Sequence, residues 1–288
     1  MGVPGLRVAV VLSLVAAALA VIGLFTGQAT IGGAPAWLKP LKFAVSIVSY
    51  CATVAVMLAY VEGRPRLVAT LAWVTGLSLT GELGLIDLQA MRGTTSHFNT
   101  TTSFNATVFA AMGGLVAVVL LAALVTAVLL IGQKTLPAPL RTGVRGGLIV
   151  NLLGMLQGIT MLIHRGHTVG APDGGPGWWL LGWSTGHGDL RIGHFLGLHA
   201  LQALPVAALL VPVFFVDLTP RLASRLVTVT TVFYAGLVVL VTWQAERGEQ
   251  LQRPSALVLA AGATWVVAFV SIAQRTTRTS RFRLRFGR

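Results

Sequence analysis

Eight apolar runs take up most of this chain: 6–25, 41–61, 67–91, 104–132, 147–163, 195–216, 226–245 and 256–273. Each can cross a bilayer, whose hydrocarbon takes about 20 apolar residues of helix. Backbone inside that layer must satisfy its own hydrogen bonds, so a crossing segment is a helix or a strand of a closed barrel. Barrel strands alternate in hydrophobicity, and these runs do not. The fold expected is therefore all-α, a polytopic transmembrane helical bundle of about eight spans over residues 1–273. Charged residues make up only 10% of the chain, against about 25% in soluble proteins, which leaves no room for a sizeable soluble domain. The run at 147–163 is the shortest and carries Asn151 and Gln157. Dropping it gives a seven-span alternative. The first run is longer than a signal peptide's apolar core and seven others follow it, so it reads as the first span.

Charge sets the orientation. With eight spans, one side holds Arg7, Arg64, Arg66, Lys134, Arg141, Arg145, Arg221, Arg225 and the six arginines from Arg275 to Arg288. The other side holds Lys39, Lys42, Arg92, Arg165, Arg191, Arg247 and Arg253. The positive-inside rule then puts both termini in the cytoplasm of a plasma (inner) membrane. Residues 274–288 form a basic cytoplasmic tail that meets the bilayer's anionic lipid. The net charge of +13 is thus a matter of topology and lipid, and nucleic acid is excluded as a partner. Cys51 is the only cysteine and lies inside a run, which excludes a disulfide framework, a Cys-based zinc site and c-type haem attachment.

The polar residues gather on the outer side. Residues 164–202 hold five of the six histidines, with Asp173, Asp189, Arg191 and Gln202. His164, His167 and His187 lie in or beside the fifth loop, and His194 and His199 in the first turns of the sixth span; His97 and Asn99 are in the third loop. The third span carries Glu82, Asp87 and Gln89 in its outward half and ends at Arg92. Glu82 and Gln89, two turns apart, share a face. A carboxylate in a span costs about 2.5–3.5 kcal/mol and so faces inward with a partner. Arg92, Lys42 or a histidine of the sixth span could supply one. Two readings stand side by side, a fixed ion pair that orients the third helix or a functional acid. Lys42, likewise, either snorkels at the interface or points inward at Glu82 or Asp87.

His194 and His199 flank one face of the sixth span about 140° apart. Their chemistry allows a hydrogen-bonded network, zinc held with His97 and Asp189, or haem ligated by His97, His194 or His199. No HExxH spacing, phosphate loop or GxSxG elbow occurs. Gly154 and Gly158, like Gly193 and Gly197, are small-xxx-small pairs that permit close helix contact. The loop between the fifth and sixth spans is long for a bundle, and its WWLLGW segment suits a re-entrant cap.

The segments WLKPLKFAVS, QAMRGTTSHFN, HTVGAPDGGPG and GHGDLRIGHFLGLHALQALP, within roughly residues 36–205, resemble a group of uncharacterised multi-pass bacterial membrane proteins. That resemblance implies a membrane bundle and no particular reaction. The function expected is binding of a small ligand, metal or haem in an outward-facing His/Asp/Glu pocket. The alternatives are a membrane-embedded metal-dependent hydrolase or oxidoreductase, using Glu82 or Asp189 as acid/base, and a small-solute or proton-coupled transporter.

Overall fold

The computed structural model describes residues 3–216, 218–278 and 283–284. Eight helices run through it: α1 Pro4–Thr26, α2 Leu38–Leu58, α3 Pro65–Met91, α4 Ser103–Gly132, α5 Ala138–His164, α6 Leu190–Phe214, α7 Pro220–Glu246 and α8 Ala256–Arg278. All eight are long and apolar enough to cross a membrane, as the runs predict. Three two-residue ladders accompany them: β1 (Thr30–Ile31) with β2 (Ala34–Pro35), β3 (Thr168–Val169) with β4 (Gly188–Asp189), and β5 (Phe215–Val216) with β6 (Arg283–Leu284).

The helix starts explain most of the differences from the apolar runs. α3, α5 and α7 carry proline in their first two positions, where the missing amide proton costs nothing. α5 begins nine residues before its apolar run and is 27 residues long, which corrects the seven-span alternative. Its early turns hold Arg141 and Arg145, whose guanidinium groups donate to the Lys134 and Ile131 carbonyls. α6 starts at Leu190 because Asp189 caps it, accepting from the Arg191 backbone N–H. α8 continues to Arg278, into the segment read as the tail; Arg281, Arg285 and Arg288 lie outside the described residues.

The packing divides into two units, Met1–Leu130 with Pro172–Gly182, and Ile131–Ala171 with Trp183–Arg288. In unit 1, α1 packs on α2 and α3, and α2 on α3. Gly5 and Gly76 bring α1 and α3 into backbone contact, since a Cβ on Gly76 would sit 2.3 Å from the Gly5 carbonyl oxygen. Ile86, Val108 and Met112, with Phe43 and Leu85, form an apolar cluster among α2, α3 and α4. In unit 2, α5 packs on α6 and α7, α6 on α7, and α7 on α8. Val150, Ala200, Leu204 and Val238 make its core. At the α5–α6 crossing a Cβ on Gly197 would meet the Gly154 Cα at 2.4 Å, the close approach that the glycine spacing predicts.

Candidate functional site

In unit 1 the polar residues converge on His97, in the loop between α3 and α4. Lys39, from the first turn of α2, has its Nζ 3.1 Å from His97 Nδ1, and the Ser96 hydroxyl oxygen is also 3.1 Å from that nitrogen. An ammonium can only donate. With Lys39 charged, Nδ1 accepts and the neutral ring carries its proton on Nε2. That nitrogen stands 3.7 Å from Glu82 Oε1, an ion-pair distance too long for a hydrogen bond. The Glu82 side chain is only 5% exposed, although it sits midway along a span. The Phe43, Phe98 and Phe109 ring centroids lie 5.9, 6.2 and 6.2 Å from that of His97. Phe98 occupies the left-handed region at φ 56°, which a bulky residue rarely adopts.

A second layer holds that loop. The buried Asn99 side-chain amide donates to the Thr94 hydroxyl and the Thr95 carbonyl, and its oxygen accepts from the Thr101 N–H and hydroxyl. Gln89 Nε2 donates to Asn105 Oδ1 at 3.1 Å, and Asn105 Nδ2 to the Thr101 hydroxyl. Among the described residues two buried acceptors on α3 have no donor, Gln89 Oε1 and Asp87 Oδ1; α5 holds two more, Asn151 Oδ1 and Gln157 Oε1. Unit 1 thus has acceptor capacity to spare.

Lys39 is the partner of this site that the sequence reading missed; snorkelling explains its position equally well from spacing alone. Lys42 instead donates to the Leu181 carbonyl at 3.1 Å. Arg92 lies over the Phe104 ring at 4.3 Å. Asp173 is exposed in a turn at 173–174.

In unit 2 each carboxylate among the described residues has a partner at hydrogen-bond distance. Asp189, with a side chain 0% exposed, accepts from Arg191 through Nε at 2.9 Å and Nη2 at 2.6 Å, and from the Ser184 N–H at 2.8 Å. Burial alone would raise its pKa. The hydrogen bonds and charge of Arg191, the Ser184 N–H and the nearby His167 outweigh burial and hold the carboxyl below the ordinary Asp range. His164 Nε2 is 2.8 Å from Glu246 Oε2. Glu249 accepts from the Ser255 N–H and from Arg247, which keep its pKa low.

His194 Nδ1–H donates to the Gly154 carbonyl at 2.7 Å, in space that Gly158 leaves open. This fixes the neutral tautomer with Nε2 as the acceptor. His199 packs against Phe195, ring centroids 4.2 Å apart, and Gln202 is half-buried on the same helix. The WWLLGW segment contains no helix; its backbone turns, with the Gly182 N–H donating to the Trp178 carbonyl, and Trp179 is 90% exposed. No group of three or more His, Cys, Asp or Glu side chains among the described residues gathers in a way that could hold a metal ion. No protein-family model, curated protein or solved structure matches the chain.

Proposed function

We propose that the protein is an integral membrane protein that binds a small polar ligand at an acidic site opening to the outer face, with Glu82 as its anionic anchor. One observation carries this reading: a carboxylate sealed within a membrane-crossing helix has an imidazole nitrogen 3.7 Å away, beyond hydrogen-bond reach, and feels the Lys39 ammonium only from behind that ring. A carboxylate kept only for structure is normally saturated by hydrogen bonds, as Asp189 is. His97, held by Lys39 and Ser96 on one side, presents its other nitrogen to the acid and can hand a proton to it or take one. The surplus acceptors Asp87 Oδ1 and Gln89 Oε1 favour a ligand that brings N–H donors and positive charge. Aromatic rings beside the site suit a cation as well. A small ammonium ion therefore fits this chemistry better than a metal or haem.

The test is thermal unfolding of the detergent-purified full chain with ammonium and monoalkylammonium salts, tetramethylammonium as the donor-free control, zinc, and a visible spectrum for haem. A ligand that binds the folded state raises Tm with its concentration. The expected result is a shift with the N–H-bearing cations that is lost in Glu82→Gln and reduced in His97→Ala. A shift that survives Glu82→Gln, or a Soret band in the purified protein, overturns this assignment.

A further inference from the structure

α3 and α7 are the same length, 27 residues, and their sequences align without a gap from 65–93 to 220–248. Pro-Arg-Leu opens both and Gln-Ala-x-Arg-Gly closes both; between them Leu71/Leu226, Val74/Val229, Thr75/Thr230, Gly81/Gly236 and Leu85/Leu240 coincide, twelve identities in 29 positions. The buried faces coincide too. Val68, Ala72, Leu83, Ile86, Gln89 and Ala90 of α3 match Ala223, Val227, Val238, Val241, Gln244 and Ala245 of α7, all buried.

The helix ends close in the same way. Gly93 and Gly248 have φ of 67° and 74°, and their N–H groups donate to the Ala90 and Ala245 carbonyls. The next residues, Thr94 and Glu249, donate to the Gln89 and Gln244 carbonyls. Each pair of bonds is a Schellman cap.

The likeness extends beyond this helix. Thr30-Ile31-Gly32 and Thr168-Val169-Gly170 open corresponding ladders, and Leu38-Lys39-x-x-Lys42-Phe43 opens α2 as Leu190-Arg191-x-x-His194-Phe195 opens α6. Apart from β5, which intervenes between α6 and α7 and pairs with β6, the element order helix, two strands, three helices recurs, as does the mutual packing of the first three helices.

We infer that the chain is a tandem duplication of one four-helix membrane unit, and that the acidic site is where unit 1 departs from the shared plan. On the common register Glu82 and Asp87 stand where unit 2 has Leu237 and Thr242, and His97, four residues past the glycine cap, has Gln252 at the same distance past its own. What the copies share is scaffold: the proline start, the buried stripe and the glycine cap. What only unit 1 has at these positions is an acid buried within the span and facing an imidazole, whereas unit 2's His164–Glu246 pair sits at the ends of α5 and α7 with both side chains about a third exposed, so the chain takes one ligand on unit 1 and none at the matched positions of unit 2. This second half rests on the function proposed above; the duplication does not.

The test converts unit 1 to unit 2's residues in the full chain, as Glu82→Leu, Asp87→Thr and His97→Gln together. Unit 2 already carries Leu237 and Thr242 half-buried on α7 and Gln252 exposed in the following turn, so the variant is expected to fold with a Tm within a few degrees of the parent. It also loses the methylammonium-induced Tm shift, whereas Gln252→Ala keeps it. Failure of the triple variant to fold overturns the shared register. A folded triple variant that keeps the shift overturns the acidic site and leaves the duplication standing.

A second measurement bears on the duplication alone. An even number of spans per copy puts matched positions on the same side of the membrane. A membrane-impermeant maleimide therefore labels Thr95→Cys and Gln250→Cys from one side, and Arg66→Cys and Arg221→Cys from the other. Either matched pair labelling from opposite sides overturns the duplication.

Discussion

Asp189 and Glu82 are both buried carboxylates, one in each unit, and they are treated in opposite ways. Asp189 sits at a helix start, where backbone N–H groups are unpaired; it has one of them, from Arg191, together with the Ser184 N–H of the preceding loop and a guanidinium fork as donors. Glu82 sits inside a helix whose amides are already used, and the imidazole reaches only ion-pair distance. The first is a structural clasp that fixes the α6 start. The second is an acid with bonding capacity left over. Position along a helix, rather than burial, separates the two roles.

The contrast is sharpest in stability. Asp189→Ala leaves Arg191 and the Ser184 N–H without their acceptor, and breaking such a pair costs about 3 kcal/mol, read as a large fall in Tm of the purified protein. Gly76→Ala in unit 1 and Gly197→Ala in unit 2 press a methyl group onto backbone and cost about 1–3 kcal/mol each. A null result at either glycine would show that the two backbones do not touch at that crossing. Glu82→Gln changes stability by less than about 1 kcal/mol, since neutralising an incompletely paired buried acid is often neutral or favourable; a loss as large as that for Asp189→Ala would erase the distinction. Trp179→Ala, at a ring 90% exposed, stays within about 0.5 kcal/mol.

Acid sharpens the same comparison. The folded pKa of Asp189 is depressed, so its contribution is complete above the unfolded Asp value of about 3.9. It is lost as pH falls from there through the lower folded value. The Tm of the parent should therefore drop toward that of Asp189→Asn below about pH 4, and a gap between them that does not narrow with acid would contradict the role of the charge.

The eight spans were readable in the chain because apolar length is enough to identify a crossing helix. The start of α5 was not: Arg141 and Arg145 interrupt the apolar pattern, yet they sit in helix by donating to carbonyls at the end of the preceding segment. The glycine crossing at Gly154 and Gly197 was readable from spacing. Glu82 could be recognised as an acid that needs a neighbour, but not its partners, since Arg92 and Lys42 were nearer in pattern. Lys39 and His97 come together only because the loop after α3 folds back, and Asn99 and Phe98 hold that fold through local bonds and an unusual φ. The repeat was also present in the letters, and became visible once the ends of α3 and α7 were known.

Where α5 meets α6, peptide planes touch with no side chains between them. At that point the two rods have no side chains that could slip past one another, and any lengthwise shift would drive a neighbouring residue's bulk into the seam. They are expected to travel as a single beam, so the shape changes available to unit 2 fall to α8, whose main packing is on α7.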